Sequence, residues 1–428
     1  MGRRRALDGL RALAVLAVVA SHTFPRADGG FLGVDVFFVL SGYLITSLLL
    51  KERTRTGRID FVAFYRRRVA RLAPAYLLML AFAVPLMLGP LAGLNSWPVP
   101  LAVGVTMIYG ANWADLVSTQ ALGPMLHTWS LSIEEQFYLL WPITFVLLMR
   151  RRRSLVGWLA AAAAVGVLAR AVGWLLRPGI WPYFATVTHG DGLLIGCLTA
   201  ALLSPGSGRR VAPRRGPAAR WTTPIVTERL AWGAGAVLAG LMAVSRVDSG
   251  STYTVSLTAA ALATAVLVWH IAVSDRGLLV GLLSWGPLVA IGRVSYGIYL
   301  FHVPVFYLVG SMKLGYLATI AVQYLLCAGI TVFSWFVIER PVQSWVHRRW
   351  PREPAVGSDT RLRTGPLRPV PPLGPMPPLR PVPPLGPVPP LGTAPAAALL
   401  QTGTPPAPTW LPAGTVGAAL PVEPTRAG

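Results

Sequence analysis

Apolar runs of about eighteen or more residues recur along this chain, and arginines bracket them. That repetition constrains the fold more than any other feature. Each such run, as a helix, is long enough to cross about 30 Å of hydrocarbon. Of the 428 residues, 54% are hydrophobic and 13% charged, and the mean hydropathy is +0.56. A soluble domain carries about a quarter charged residues. The composition therefore predicts an all-α polytopic membrane protein. A net charge of +22 would point to nucleic acid in a soluble chain. Here the arginines flank apolar runs, which is the pattern of cytoplasmic loops, so no nucleic-acid partner is expected.

Cys197 and Cys327 fall inside apolar runs without partner spacing, and read as small buried hydrophobes rather than a disulfide or metal site. Arg3, Arg4 and Arg5 followed by an apolar run resemble a signal peptide. The run nevertheless contains Asp8, Arg11 and His22, has no small-residue cleavage site, and leads directly into another span. An uncleaved first helix is expected.

Basic clusters order the spans. Arg3 to Arg5 hold the N-terminus inside, span 1 (6–24) runs outward, and span 2 (32–50) returns to Lys51–Arg58. Span 3 (72–90) follows Arg66, Arg67, Arg68 and Arg71. Residues 98–110 are too short and too proline-broken to cross, so 91–128 is expected to be an external re-entrant or interfacial segment. Spans 4 (130–149), 5 (154–176), 6 (183–203), 7 (230–245), 8 (254–273), 9 (286–309) and 10 (316–338) place Arg150–Arg153, the loop 204–229 and Arg340–Arg349 on one side. About ten transmembrane helices result, with both termini cytoplasmic. Residues 1–345 form the membrane domain. Residues 346–428 form a tail whose segment 369–392 is four proline-rich hexapeptides, expected to be disordered or a polyproline II rod. It reads as a spacer, with docking to a proline-recognising protein as the minor alternative.

This topology gives the polar residues a sidedness. His22, Asp35, His127, Ser130, Ser132, Glu134, Glu135, His189, Asp191 and His302 gather towards the outer leaflet, where ionisable groups need a solvated or protein-lined cavity. Arg11, Arg66, Arg67, Arg68, Arg71 and Arg293 gather at the cytoplasmic ends, as fork-shaped cations suited to phosphates. Arg11 and His22 lie on one helix about 16 Å apart, a gap that an extended cofactor arm could bridge. Glu134 and Glu135 are adjacent and face different directions, so one of them is expected to enter the cavity.

Five segments carry a family resemblance. They are Arg11-(ten residues)-His22, Gly33–Leu44, Phe64–Arg68, Trp129–Tyr138 and Ser295–His302. In this order they resemble the acyltransferase 3 family of integral-membrane O-acyltransferases, over residues 6–340. The resemblance implies acyl-CoA as donor, with acetyl-CoA the default, and the hydroxyl of a cell-surface glycan, lipid-linked saccharide or secreted glycoside as acceptor. It also implies a multi-pass protein of the plasma membrane with about ten helices; the extracytoplasmic hydrolase-like module common in the family is not expected here, the proline-rich tail standing in its place. His22 matches the essential histidine, Arg11, Arg66, Arg67 and Arg68 match the donor-handling basic residues, and the glutamate pair matches the acidic motif.

On this reading His22, Glu134, Glu135 and Asp35 are catalytic, and Arg11, Arg66, Arg67, Arg68 and Arg71 bind the donor. Ser132, Tyr138 and His302 bind substrate, and no metal is involved. Imidazole, with an ordinary pKa of about 6.5, suits a base acting on a hydroxyl, and Asp35 or Glu135 would orient it. An acyl-His22 intermediate is the alternative within the same class. A proton-coupled transporter would also use His and carboxylate chains, but it predicts inverted repeats that the sequence lacks. A silent scaffold acting through the tail is the third alternative.

Overall fold

The computed structural model describes residues 5–91, 97–118, 121–150, 154–204 and 224–350. Helices run in the order α1 (Arg5–Ser21), α2 (Gly33–Thr56), α3 (Phe61–Leu88), α4 (Val99–Met107), α5 (Ala111–Val117), α6 (Thr128–Arg150) and α7 (Leu155–Leu176). They continue with the single turns α8 (Trp181–Phe184) and α9 (Thr186–His189), then α10 (Asp191–Leu203), α11 (Pro224–Val244), α12 (Leu257–Val273), α13 (Leu278–Leu283), α14 (Gly286–Ser311), α15 (Tyr316–Phe333) and α16 (Arg340–Arg349). Among the described residues, 8 helices are long and apolar enough to cross a membrane, and the chain is a multi-pass helical membrane protein. α1, with 17 residues, and α10, with 13, are shorter. The proline-rich repeats and most of the loop 204–229 lie outside the described residues.

Three boundaries differ from the sequence expectation. α3 begins at Phe61 rather than residue 72, because the Asp60 carboxylate caps it, accepting from the Ala63 amide at 2.9 Å. Arg66, Arg67 and Arg68 are therefore helical residues rather than loop residues. Gly57, at φ +73°, ends α2 in the left-handed conformation that glycine adopts without strain. The tail boundary expected at 345/346 falls inside α16, which runs on to Arg349.

The largest departure is the sixth expected span. Residues 183–203 are not one helix, since the backbone at Ala185 is extended (ψ 129°) and Gly190 separates α9 from α10. The freed carbonyls are taken by side chains. His189 Nδ1 donates to Tyr183 O at 2.7 Å, Asn112 Nδ2 to Phe184 O at 3.1 Å, and Thr188 Oγ1 to Pro182 O at 2.8 Å. Irregular backbone at membrane depth persists where the protein itself supplies such partners. Within the stretch 91–128, by contrast, the described residues form α4 and α5, which are too short to span, as expected.

Glycines bring the central helices together backbone to backbone. A Cβ at Gly292 of α14 would stand 1.8 Å from Asp8 O of α1. One at Gly42 of α2 would stand 1.9 Å from Leu193 O of α10, and one at Gly196 2.1 Å from Val39 O. Lipid tails give helices little hydrophobic reason to associate, so close approach at small residues carries the packing. Gly42→Leu is expected to force α2 and α10 apart, at a cost of about 3 kcal/mol or more. The check is thermal unfolding in detergent micelles. A variant eluting and melting like the parent would refute this packing.

Candidate active site

A cavity of about 1210 Å3 runs into the bundle from the end carrying Lys51, Thr54 and Arg55, all exposed. Its walls include Asp8 and Arg11 of α1, Phe37 and Ser41 of α2, Arg68 and Arg71 of α3, Glu134 and Tyr138 of α6, and Ser295 and Tyr296 of α14. It ends against Ser130, Leu131 and Tyr299.

Helical geometry sorts the arginines. Successive residues on α3 diverge by about 100°, whereas positions three apart share a face. Arg68 and Arg71 therefore line the cavity together. Arg66 stacks over the Trp350 ring, 4.5 Å from its centre, and Arg67 stands 4.0 Å from Glu52. Of the five arginines expected to handle the donor, Arg66 and Arg67 thus face away from the cavity, while Arg11, Arg68 and Arg71 face it. Arg293 is exposed and outside the lining.

Arg11 is held by Ser295, whose Oγ accepts from Nε at 3.2 Å and Nη2 at 3.1 Å, and it lies over the Phe37 ring. Arg68 covers the face of Tyr138, 3.0 Å from its centre, and pairs with Glu135 at 3.9 Å. Glu134 accepts a hydrogen bond from Ser41 Oγ at 2.7 Å and lines the cavity, so the two glutamates diverge as expected. Both lie in the arginine-bearing half of the site. Glu135, expected as a partner of His22, is instead the partner of Arg68.

Beyond Tyr299 lies the histidine end. His22 follows the last residue of α1 and is exposed, with Nδ1 2.9 Å from Val18 O. Its ring centre is 5.1 Å from that of His302, which is 5.5 Å from that of His127. Pro304 has no N–H, so the carbonyl four residues earlier, Leu300 O, lacks its helical donor. His127 Nε2 takes that place at 3.0 Å. Tyr299 OH donates to His127 O at 2.9 Å, which leaves the Ser130 hydroxyl as donor in their 2.5 Å contact. A tyrosine ring thus stands between the cavity and the imidazoles.

Three expectations are corrected here. Asp35 does not orient His22, because its Oδ1 meets His189 Nε2 at 3.1 Å, both groups buried. Ser132 does not line this cavity. Its Oγ donates to Thr128 O at 3.0 Å and accepts from the Ala111 amide at 3.2 Å, tying α5 to α6. His302 lies among the histidines rather than along the cavity, whereas Tyr138 does line it.

His189 and Asp191 do not join His22 either. They belong to a second buried network around Arg170, which is fully buried. Arg170 Nη1 donates to Asp191 Oδ1 at 2.5 Å and Thr188 O at 3.0 Å, and Nε to Tyr253 O at 3.0 Å. Cys197 and Cys327 are buried, as expected of small apolar side chains, and both are free thiols. Among the described residues, no group of three or more His, Cys, Asp or Glu has the arrangement of a metal site.

The model of an acyltransferase domain family matches residues 4–339. The chain belongs to the acyltransferase 3 family. It is 32% identical over 352 residues to the O-acetyltransferase OatA of Staphylococcus aureus (strain NCTC 8325 / PS 47), covering 79% of this chain and 57% of that protein. It is 36% identical over 373 residues to YrhL of Bacillus subtilis (strain 168), covering 81% and 56%. It is 32% identical over 320 residues to the peptidoglycan O-acetyltransferase OatA of Listeria monocytogenes serovar 1/2a, covering 70% and 49%. The chain thus spans about half the length of the curated relatives it matches. No solved structure matches it.

Sequence reasoning passed over Arg170, although a charge inside the apolar run 154–176 is flagged by the same rule that flags His22. Ser41, Ser295 and Tyr299 stood inside the quoted motifs, but nothing in their spacing announced that they line one cavity.

Proposed function

We propose that this family member is a membrane O-acyltransferase that moves an acetyl group from acetyl-CoA to a hydroxyl of peptidoglycan or a related envelope glycan. The observation that carries the reading is the cavity, which connects exposed basic residues to a floor abutting the histidines. On this reading the basic end is cytoplasmic, by the positive-inside rule, His22 faces outward, and the membrane is the plasma membrane.

The residues fit such a donor. Lys51, Arg55, Arg68 and Arg71 suit phosphate groups. The apolar and hydroxyl walls of Phe37, Leu44, Ser41 and Ser295 suit a flexible amide-bearing arm. His22 removes the proton of the acceptor hydroxyl, the oxygen attacks the thioester carbonyl, the C–S bond breaks, and the proton returns to the leaving thiolate. Glu134 and Glu135 hold Ser41 and Arg68 in place rather than taking protons from the acceptor. The relatives' names, O-acetyltransferase and peptidoglycan O-acetyltransferase, support this class over a proton-coupled exporter.

The test is acetyl transfer by the purified chain in nanodiscs, read as free thiol released from acetyl-CoA and as O-acetyl ester on soluble muropeptides. Release above that of empty nanodiscs is expected. Arg68→Ala is expected to raise KM for acetyl-CoA about tenfold or more, the scale of a lost charged hydrogen bond. Absence of both products with the parent chain would overturn the reading.

A further inference from the structure

His302 and His127 carry unpaired nitrogens that the mechanism above does not use. His302 Nδ1 contacts Tyr299 O at 2.6 Å, His127 Nε2 contacts Leu300 O, and His22 Nδ1 contacts Val18 O. A carbonyl oxygen only accepts, so each of these nitrogens carries the N–H. The other nitrogen of each neutral ring therefore holds a bare lone pair. His302 Nε2 and His127 Nδ1 are buried and meet no hydrogen-bond partner. A buried polar atom left so is costly, by about 1–3 kcal/mol, and calls for a reason. Among the described residues, these three rings do not form a group that could hold a metal ion. They are instead neighbours in a row, edge to face at 78° and 72°, with His22 at the exposed end.

We propose that His302 and His127 are positioning residues that form, with His22, a proton-sharing set. This rests on His22 acting as the base. The acceptor O–H bond breaks as His22 Nε2 takes the proton. A swing of the exposed ring then turns that N–H towards the lone pair of His302, behind which His127 offers another. The alkoxide oxygen bonds the thioester carbon, the C–S bond breaks, and the shared proton leaves with the thiolate as thiol. The set ends with the protons it began with. The imidazolium N–H thus meets two lone pairs on rings that are themselves buried.

Two measurements test this. In nanodiscs containing the protein labelled with 15N at its six histidines, each assigned by single substitution, nitrogen shifts report the tautomers. His302 is expected to be protonated at Nδ1 and bare at Nε2, and His127 the reverse; opposite tautomers overturn the proposal without any activity assay. In the acetyl-CoA and muropeptide assay, His302→Phe is expected to lower kcat about ten- to a hundredfold, with KM within about threefold. His302→Gln, whose side-chain carbonyl can accept a proton donor, is expected to recover most of that loss. A Phe variant within twofold of the parent, or a Gln variant no better than Phe, overturns it. A parent inert towards both substrates instead removes the acyltransfer reading, and the tautomers still decide the cluster.

Discussion

Replacing His22 with alanine is expected to reduce acetyl transfer from acetyl-CoA to background while leaving the folded protein intact. A positioned general base contributes about 10²- to 10⁴-fold, or roughly 3–5 kcal/mol of barrier. If His22 also carries the acyl group, the loss is complete. Folding is spared because the side chain is exposed at the end of α1 and its bond to Val18 O is a local one. The assay is ester formation on muropeptides, run beside thermal unfolding of the same preparation. Full activity in a well-folded His22→Ala protein would sink both versions. A radiolabelled acetyl group retained by the parent before acceptor is added separates the acyl carrier from the base. The base version also requires the neutral ring, so the rate should rise with pH through the imidazole titration.

The second large effect is structural. Arg170→Leu is expected to destabilise the protein by about 3–5 kcal/mol, because it strands the Asp191 carboxylate in a dry interior. It also removes the donors now satisfying Tyr253 O and Thr188 O. Adding Asp191→Leu should restore most of the loss, since two well-packed apolar groups often replace a buried ion pair at little or no cost. Melting temperatures of the parent, single and double variants in one detergent check this. A single variant melting with the parent, or a double variant no more stable than the single, would show that the pair is not what holds this region.

Most of the helices were legible in the sequence because their apolar runs are long enough to cross a bilayer and basic clusters mark their ends. Their contacts were less so. The division among Arg66, Arg67 and Arg68 follows from helical phase, but only after Asp60 has fixed where α3 begins. The break in residues 183–203 was hidden because hydropathy registers apolar content and not hydrogen bonds; Thr188 and His189 satisfy carbonyls from within the segment or beside it, and Asn112 reaches Phe184 O from 72 residues away. Hydropathy set Asp35 and His22 at similar depth and told nothing of direction. Asp35 points into the α2–α10 packing, where His189 waits, and His22 points to the surface. Depth is one coordinate, and partnership needs the other two.

The thinness of the floor at Tyr299 has an electrical consequence. A bilayer insulates with about 30 Å of hydrocarbon. Here a cavity entered from one end reaches Tyr299 and Ser130, and the ring of Tyr299 is followed by those of His127 and His302 on the way to exposed His22. Where a cavity takes the place of hydrocarbon, side chains have to insulate, and here the hydrogen bond between Ser130 and Tyr299 is part of that insulation.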